Sequence, residues 1–421
     1  MRRLAAVDAQ AYWMSAKIPN DQFLLYGFAG APADLRAALR QVRARAGECD
    51  DLRIRVAERG FLTYPAWVRG GVGDSHFAVH QLDDPTWAGC LAAVAALAGR
   101  QLDLTEMCWR LHVFAGVEGV PGVAGPGTVA VLQAGHALAD GVWASGLAAW
   151  LFGRCAPVTS VRSPPPLRCA ALPARALRAA RTHRRLVSDV ESGLVPPQAD
   201  SRPVLRTNSR PDGTCRIRTL VRHRSTLSGP TVTVAVLAAV SSALGAHLRD
   251  LGEDPATLGA EVPMAKVGPR RAQNHFGNVG VGLFPGLAVD ERAERISAEL
   301  ARRRLRARHP GMRAAGDAFA AVPAPLLRWG VAQFDPTVRS DTATGNTVVS
   351  SVDRGAADLA FGGAPVVVTA GYPALSPMMG VTHGVHGIGD TVAVSVHASD
   401  PAIGGADGLD AYVARLDAAL G

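Results

Sequence analysis

Ala134-Gly135-His136-Ala137-Leu138-Ala139-Asp140-Gly141-Val142-Trp143 joins two runs of different character. Before it, Thr128 to Leu132 is short, apolar and rich in β-branched residues, as a buried strand is; after it, Val142 to Phe152 is apolar and long enough for a helix. A strand-to-helix turn exposes its side chains. His136 is therefore the first candidate for chemistry, because imidazole titrates near neutral pH and its neutral form can take a proton from an alcohol or amine attacking an acyl donor. Asp140, four residues on, can bend back to fix the loop or its partner. Gly141 lets the backbone turn closely and aim amide N–H groups at a developing oxyanion.

Outward from this turn, the N-terminal side reads as an α/β layer. Asp34 to Ala46 interleaves Leu and Val with Arg at helical spacing, Ala88 to Leu97 forms a second helix, and Leu52–Val56, Phe61–Trp67 and Trp109–Phe114 read as strands. Gly116, Gly119, Gly122 and Gly125 recur every third residue, too few for a collagen-like helix, and form a hairpin connection into the strand that delivers His136.

From Ala156 to about Arg210 the composition shifts. Ser163-Pro164-Pro165-Pro166, an arginine-rich helix from Ala174 to Val187 and then Pro196-Pro197 mark a linker. That helix, bearing Arg175, Arg178, Arg181 and Arg185, reads as a solvated crossover packed by Leu177 and Leu186; contact with anionic lipid or coenzyme A phosphates is the alternative. The second half repeats the same element types. Strands fall at Cys215–Val221, Leu258–Met264, Gly280–Phe284, Thr347–Val352, Val366–Ala370 and Thr391–His397, and helices at Thr231–Leu248 and Glu291–His309, the latter with Ile296, Leu300 and Leu305 inward.

The 421 residues suffice for two to three domains with a large core, and aromatic residues are few at 5%. The net charge of +8 is carried almost wholly by arginine, with Lys17 and Lys266 the two lysines, and no nucleic-acid-binding signature accompanies it. Six cysteines without Cys-x-x-Cys spacing read as buried thiols of a reducing compartment. Asp8 and Gln10 interrupt any leader-like apolar run, and Thr231–Leu248 falls short of a membrane span, so the expected location is the cytoplasm. His76/His80 and His383/His386 lack a third ligand, so no metal is expected. A Gly-x-Ser-x-Gly elbow and a phosphate-binding loop are absent, which argues against a serine hydrolase or a kinase.

His136-x-x-x-Asp140-Gly141 matches the motif of the condensation-domain superfamily of acyltransferases, and the chain resembles its wax ester synthase/diacylglycerol acyltransferase branch nearly end to end. Leu4 to Ala9, Leu102 to Arg110, Thr231 to Val240, Phe276-Gly277-Asn278-Val279, Tyr372 to Pro377 and Thr391 to His397 are similar to family segments in order and spacing. Three departures mark a divergent member: Gly135 replaces the motif's first His, Thr233-Val234 replaces an Asn-Asp pair, and only Trp109 remains of a Pro-Leu-Trp. The resemblance implies an α/β fold of two chloramphenicol-acetyltransferase-like subdomains, residues 1–155 and 211–421 joined by 156–210, in a pseudo-dimer with a central channel and His136 at the junction.

It further implies direct acyl transfer from acyl-CoA to a hydroxyl acceptor, a lipid or small molecule. His136 would be the base, Asp140 would pair with an arginine to shape the loop, and Gly141 would lie at the oxyanion. Trp109, Asn278 and Ser351 would line or support the channel. No permanent cofactor is implied. A carrier-protein-dependent condensation enzyme, and a non-catalytic binding or scaffold relic, are the competing expectations; long-chain substrates would favour peripheral membrane contact.

Overall fold

The computed structural model describes residues 2–156, 158, 161 and 168–421; Ser163-Pro164-Pro165-Pro166 lies outside them. Two six-stranded sheets dominate. The first runs Ala360–Phe361, Ala364–Tyr372, Gln22–Phe28, Gly127–Ala134, Trp109–Val117, Phe77–His80. Its central strand, Gly127–Ala134, is buried at every position, as a strand covered on both faces must be. In the neighbouring strand Leu24, Tyr26 and Phe28 face one core, and Phe23 and Leu25 the other. Gly116, Gly119, Gly122 and Gly125 all take φ between +71° and +82°, a conformation open to glycine, and so fold back the connection that precedes Gly127.

The second sheet runs Phe276–Gly282, Gly259–Ala265, Thr347–Asp353, Val381–Ile388, Thr391–Ser399, Cys215–His223. Helix Val232–Asp250 covers it, capped by Thr231, whose hydroxyl accepts from the Val234 N–H at 3.2 Å. It is long and apolar enough to cross a membrane, but most of it is buried among Leu258, Val281 and Tyr412 and it serves as a core helix.

The sheets do not divide at one point in sequence. Ala364–Tyr372, from the second half, pairs antiparallel with Gln22–Phe28 of the first sheet, so residues 211–421 contribute to both sheets. Ile217 and Ala393 of the second sheet pack with Phe23, Leu25 and Tyr372 of the first. Burying these side chains together fastens one sheet to the other at about 25 cal/mol per Å² of apolar surface.

Several expectations shift. Val381–Ile388 is a fully buried strand that its Gly- and His-rich composition hid. Phe61 and Leu62 are exposed, and the strand there begins only at Ala66. The expected Gly280–Phe284 strand is Phe276–Gly282. Leu177 and Leu305 lie outward, while Leu186, Ile296 and Leu300 face in; Arg292 and Arg303 complete the inner stripe of helix Val289–Ala307. Cys49, Cys90 and Cys108 are buried, but Cys155 and Cys169 are exposed. The arginine-rich helix, Leu172–Glu191, docks on helix Pro310–Phe319 through Leu186 and an Arg175 donation to the Asp317 carbonyl at 3.2 Å.

Candidate active site

Register explains why the turn after Gly127–Ala134 is structured as it is. Gln22 lies opposite Ala134, so its amide reaches past the strand end to the turn. Two donors converge on the Ala139 carbonyl: His136 Nδ1 at 3.1 Å and Gln22 Nε2. Gln22 Nε2 also lies 3.0 Å from His136 Nδ1. In the tautomer that donates Nδ1–H to the Ala139 carbonyl, Nε2 keeps its lone pair. The ring lies parallel to Phe276, with centroids 5.6 Å apart and planes 3° from parallel. Burial lowers the His136 pKa from its ordinary value, opposed by the Ala139 carbonyl and Asp140, so the imidazole is neutral at pH 7.

Asp140 is the N-cap of helix Gly141–Leu151. Its carboxylate accepts from the Trp143 N–H at 2.9 Å, from the His275 N–H at 2.9 Å and from Arg270, 2.9 Å away. Arg270 also lies over the Trp143 ring and donates to the Gln273 carbonyl at 2.5 Å. It supplies the arginine expected beside Asp140. With Trp143 capped by the side chain, the Gly141 and Val142 N–H groups have no partner among the described residues, and both residues line the cavity. A helix N-terminus with free N–H groups suits a developing negative charge. Gly141 does not take a left-handed φ, and a Cβ there would make only ordinary contact with Val352 Cγ2 at 3.4 Å.

The segment 270–275 holds the turn from the second half of the chain. Asn274 Nδ2 donates to the His136 carbonyl at 2.7 Å, and buried Asp8 accepts from the Gln273 and Asn274 N–H groups at 3.0 and 2.9 Å. Burial pushes the Asp8 carboxyl up to about 6 against these amide donors. Neither Asn274 nor Gln22 stood out in sequence, because their partners are distant in the chain.

These elements surround a cavity of about 760 Å³ between the two sheets, lined by His136, Gly141, Phe276, Ser351, Arg354 and Tyr372 among others. A second cavity of about 670 Å³ shares Ile18, Asp21, Phe23 and Tyr372 with it and is bordered by Arg210, Arg216 and Arg218. Ser351 lines the first cavity and accepts from the Thr233 hydroxyl at 2.9 Å, tying helix to strand where the family's Asn-Asp pair is lost. Asn278 lines its rim, donating to Glu261 at 3.1 Å. Trp109 is not in the cavity: it is fully buried, bonds the Leu52 carbonyl at 2.9 Å and packs on His76 and Phe77 in the core. Gly135 abuts Leu104, whose Cδ2 would lie 2.4 Å from a Cβ, so leucine fills the space where the family's first His would project.

His383 bonds Thr347 and Tyr412, while His76 packs on Trp109 and His80 on His112; among the described residues no three ligand side chains converge.

No protein-family model and no curated sequence matches the chain. Solved structures do. The wax ester synthase/diacylglycerol acyltransferase from Marinobacter aquaeolei VT8 is 18% identical, with a TM-score of 0.63 over 99% of this chain and 98% of that one. The starter condensation domain of rhizomide synthetase, as a double mutant in complex with C8-CoA and Leu-SNAC, is 17% identical with a TM-score of 0.56, over 99% and 93%. The condensation domain of the Monacolin K polyketide synthase MokA is 13% identical with a TM-score of 0.54, over 99% and 96%. This chain has the condensation-domain fold. The likeness is one of fold, and it agrees with the α/β architecture described above.

Proposed function

We propose that the protein is an acyltransferase that moves an acyl group from a thioester, on coenzyme A, to a hydroxyl acceptor, with His136 as general base. The observation that carries this is the neutral imidazole whose Nδ1 is held by the Ala139 carbonyl while its ring borders the cavity. An acceptor hydroxyl beside Nε2 would give up its proton as its oxygen attacks the thioester carbon; the departing thiolate would recover that proton from the imidazolium. The Gly141 and Val142 N–H groups would steady the tetrahedral oxyanion, an effect of about 3–4 kcal/mol for one such donor. Asp140 would act by shaping the turn. No covalent enzyme intermediate and no resident cofactor is needed, and the two subdomains, with residues 211–421 lending the strand Ala364–Tyr372 to the first sheet, would meet at the junction.

Thiol release from a panel of acyl-CoAs, compared between wild type and His136→Ala, tests the reading. Release in wild type and a loss of at least a hundredfold in the variant support it. Turnover only with an acyl carrier protein would move the donor assignment to a carrier protein, and no turnover with any thioester would favour a binding relic. The expected setting is the cytoplasm, with peripheral membrane contact for long-chain substrates.

A further inference from the structure

Three arginines are buried in the described structure: Arg292, Arg303 and Arg354. Two are saturated. Arg292 donates to the carbonyls of Phe284, Ala238, Pro285 and Leu287 and to Ser242; Arg303 donates to the carbonyls of Gly280 and Pro197 and pairs with Glu299. Arg354 is different. It is 4% exposed, has no carboxylate partner, and sends only Nη1 to oxygen acceptors, the Leu25 carbonyl at 3.3 Å and the Thr369 hydroxyl. Its Nε has no well-aligned acceptor; the Tyr26 ring lies 4.9 Å from Cζ and the Tyr26 hydroxyl is the polar group beside the guanidinium.

A guanidinium taken out of water with donors unmet is costly unless an anion completes it. Its surroundings leave room for one. Arg354 and His386 both border the 760 Å³ cavity, and His386, 6% exposed, has an orphaned Nδ1. Both converge over Gly371: a Cβ on that residue would lie 2.9 Å from Arg354 Nη2 and 2.7–2.8 Å from the His386 ring. A side chain at Gly371 would collide with both, so the glycine lets the guanidinium and the imidazole lie side by side at the cavity wall. The nearby carboxylates are otherwise engaged: Asp353 pairs with Arg224 and Asp358 with Arg154.

We propose that Arg354, with His386 beside it, forms a carboxylate-binding subsite at the wall of this cavity, so that one of the two substrates carries a free carboxylate. The proposal rests on the acyl-transfer reading only for which substrate brings the carboxylate; the subsite itself is a matter of binding. A planar carboxylate can take two N–H bonds from the edge of a guanidinium, which a neutral amide cannot match. Two sources are chemically equivalent here: a hydroxy acid as acceptor, or a dicarboxylic acyl chain on the donor thioester.

Calorimetric titration of the intact protein with 3-hydroxybutyrate and 3-hydroxybutyramide, and with succinyl-CoA and butyryl-CoA, reads the subsite without turnover. In at least one pair the acid form should bind tenfold or more tightly, and the pair that does so identifies the source. Arg354→Gln should bring acid and neutral forms within about twofold. Gly371→Ala, which retains the arginine but whose added methyl displaces the guanidinium, should do the same and covers the case in which Arg354→Gln fails to fold. Equal affinity within both pairs in wild type, no binding of either acid form, or preserved discrimination in a folded Arg354→Gln or Gly371→Ala protein overturns the proposal. Carboxylate binding without thioester turnover would leave the subsite standing and remove the transferase reading alone.

Discussion

Arg270 Nη2 lies 2.9 Å from Asp140 Oδ2 and ties the turn that bears His136 to a segment 130 residues further along the chain. Asp140 simultaneously caps the helix that starts at Gly141 and accepts the His275 N–H. Three attachments from two halves of the molecule therefore meet on one carboxylate.

Asp140→Ala is expected to destabilise the protein by about 3–5 kcal/mol, since it removes a cap and leaves a mostly buried guanidinium unpaired. Urea unfolding measures it. In a double-mutant cycle with Arg270→Ala the two losses should be less than additive; strict additivity would show that the pair is not coupled.

Gly135→His installs the first histidine of the motif that this turn resembles but drives a side chain into Leu104. The single change should lower the unfolding midpoint by an amount equivalent to about 1–3 kcal/mol, the usual cost of overpacking. Gly135→His combined with Leu104→Ala should recover part of that loss. Failure of the second substitution to help would mean that Leu104 is not what excludes the imidazole.

Burial pushes His112, His383 and His397 down to about 4. Their contribution to stability is complete above about pH 6.5, the unfolded value, and is lost as pH falls toward 4, because the unfolded chain then binds protons that the native state refuses. At pH 5 this amounts to about 2 kcal/mol per histidine. Asp8, pushed up to about 6, together with Asp21 and Glu261, works in the opposite sense but is outweighed. The thermal midpoint should therefore be clearly lower at pH 5 than at pH 7; an unchanged or higher midpoint at pH 5 contradicts the assignment of these histidines as buried and neutral.

The strand and helix around His136 could be read from sequence because their apolar runs are continuous and local; Gly127–Ala134 and Gly141–Leu151 fall where the runs Thr128–Leu132 and Val142–Phe152 place them. Val381–Ile388 could not, since its Gly and His residues mimic a loop, and only pairing with neighbours on both sides makes it a central strand. The site divided similarly. His136 and Asp140 announce themselves by spacing, whereas Gln22, Asn274 and Arg270 become partners only through register and long-range packing. Trp109 lines neither of the two described cavities because the strand alternation that buries Leu111 and Val113 also turns it into the core. Arg354 follows a strand in a stretch, Ser351-Val352-Asp353-Arg354, that resembles any charged strand end; its isolation from carboxylates is a three-dimensional property.

The most direct test of the account is the pH dependence of kcat/KM for thiol release from an accepted acyl-CoA, in wild type and in His136→Ala. With a neutral imidazole as base, activity should hold through neutral pH and fall on the acid side with an apparent pKa below the ordinary histidine value, as burial of His136 requires. His136→Ala should lose about 10²–10⁴-fold and with it the acid limb. An acid limb that persists in His136→Ala, or undiminished turnover in that variant, would show that another group takes the proton.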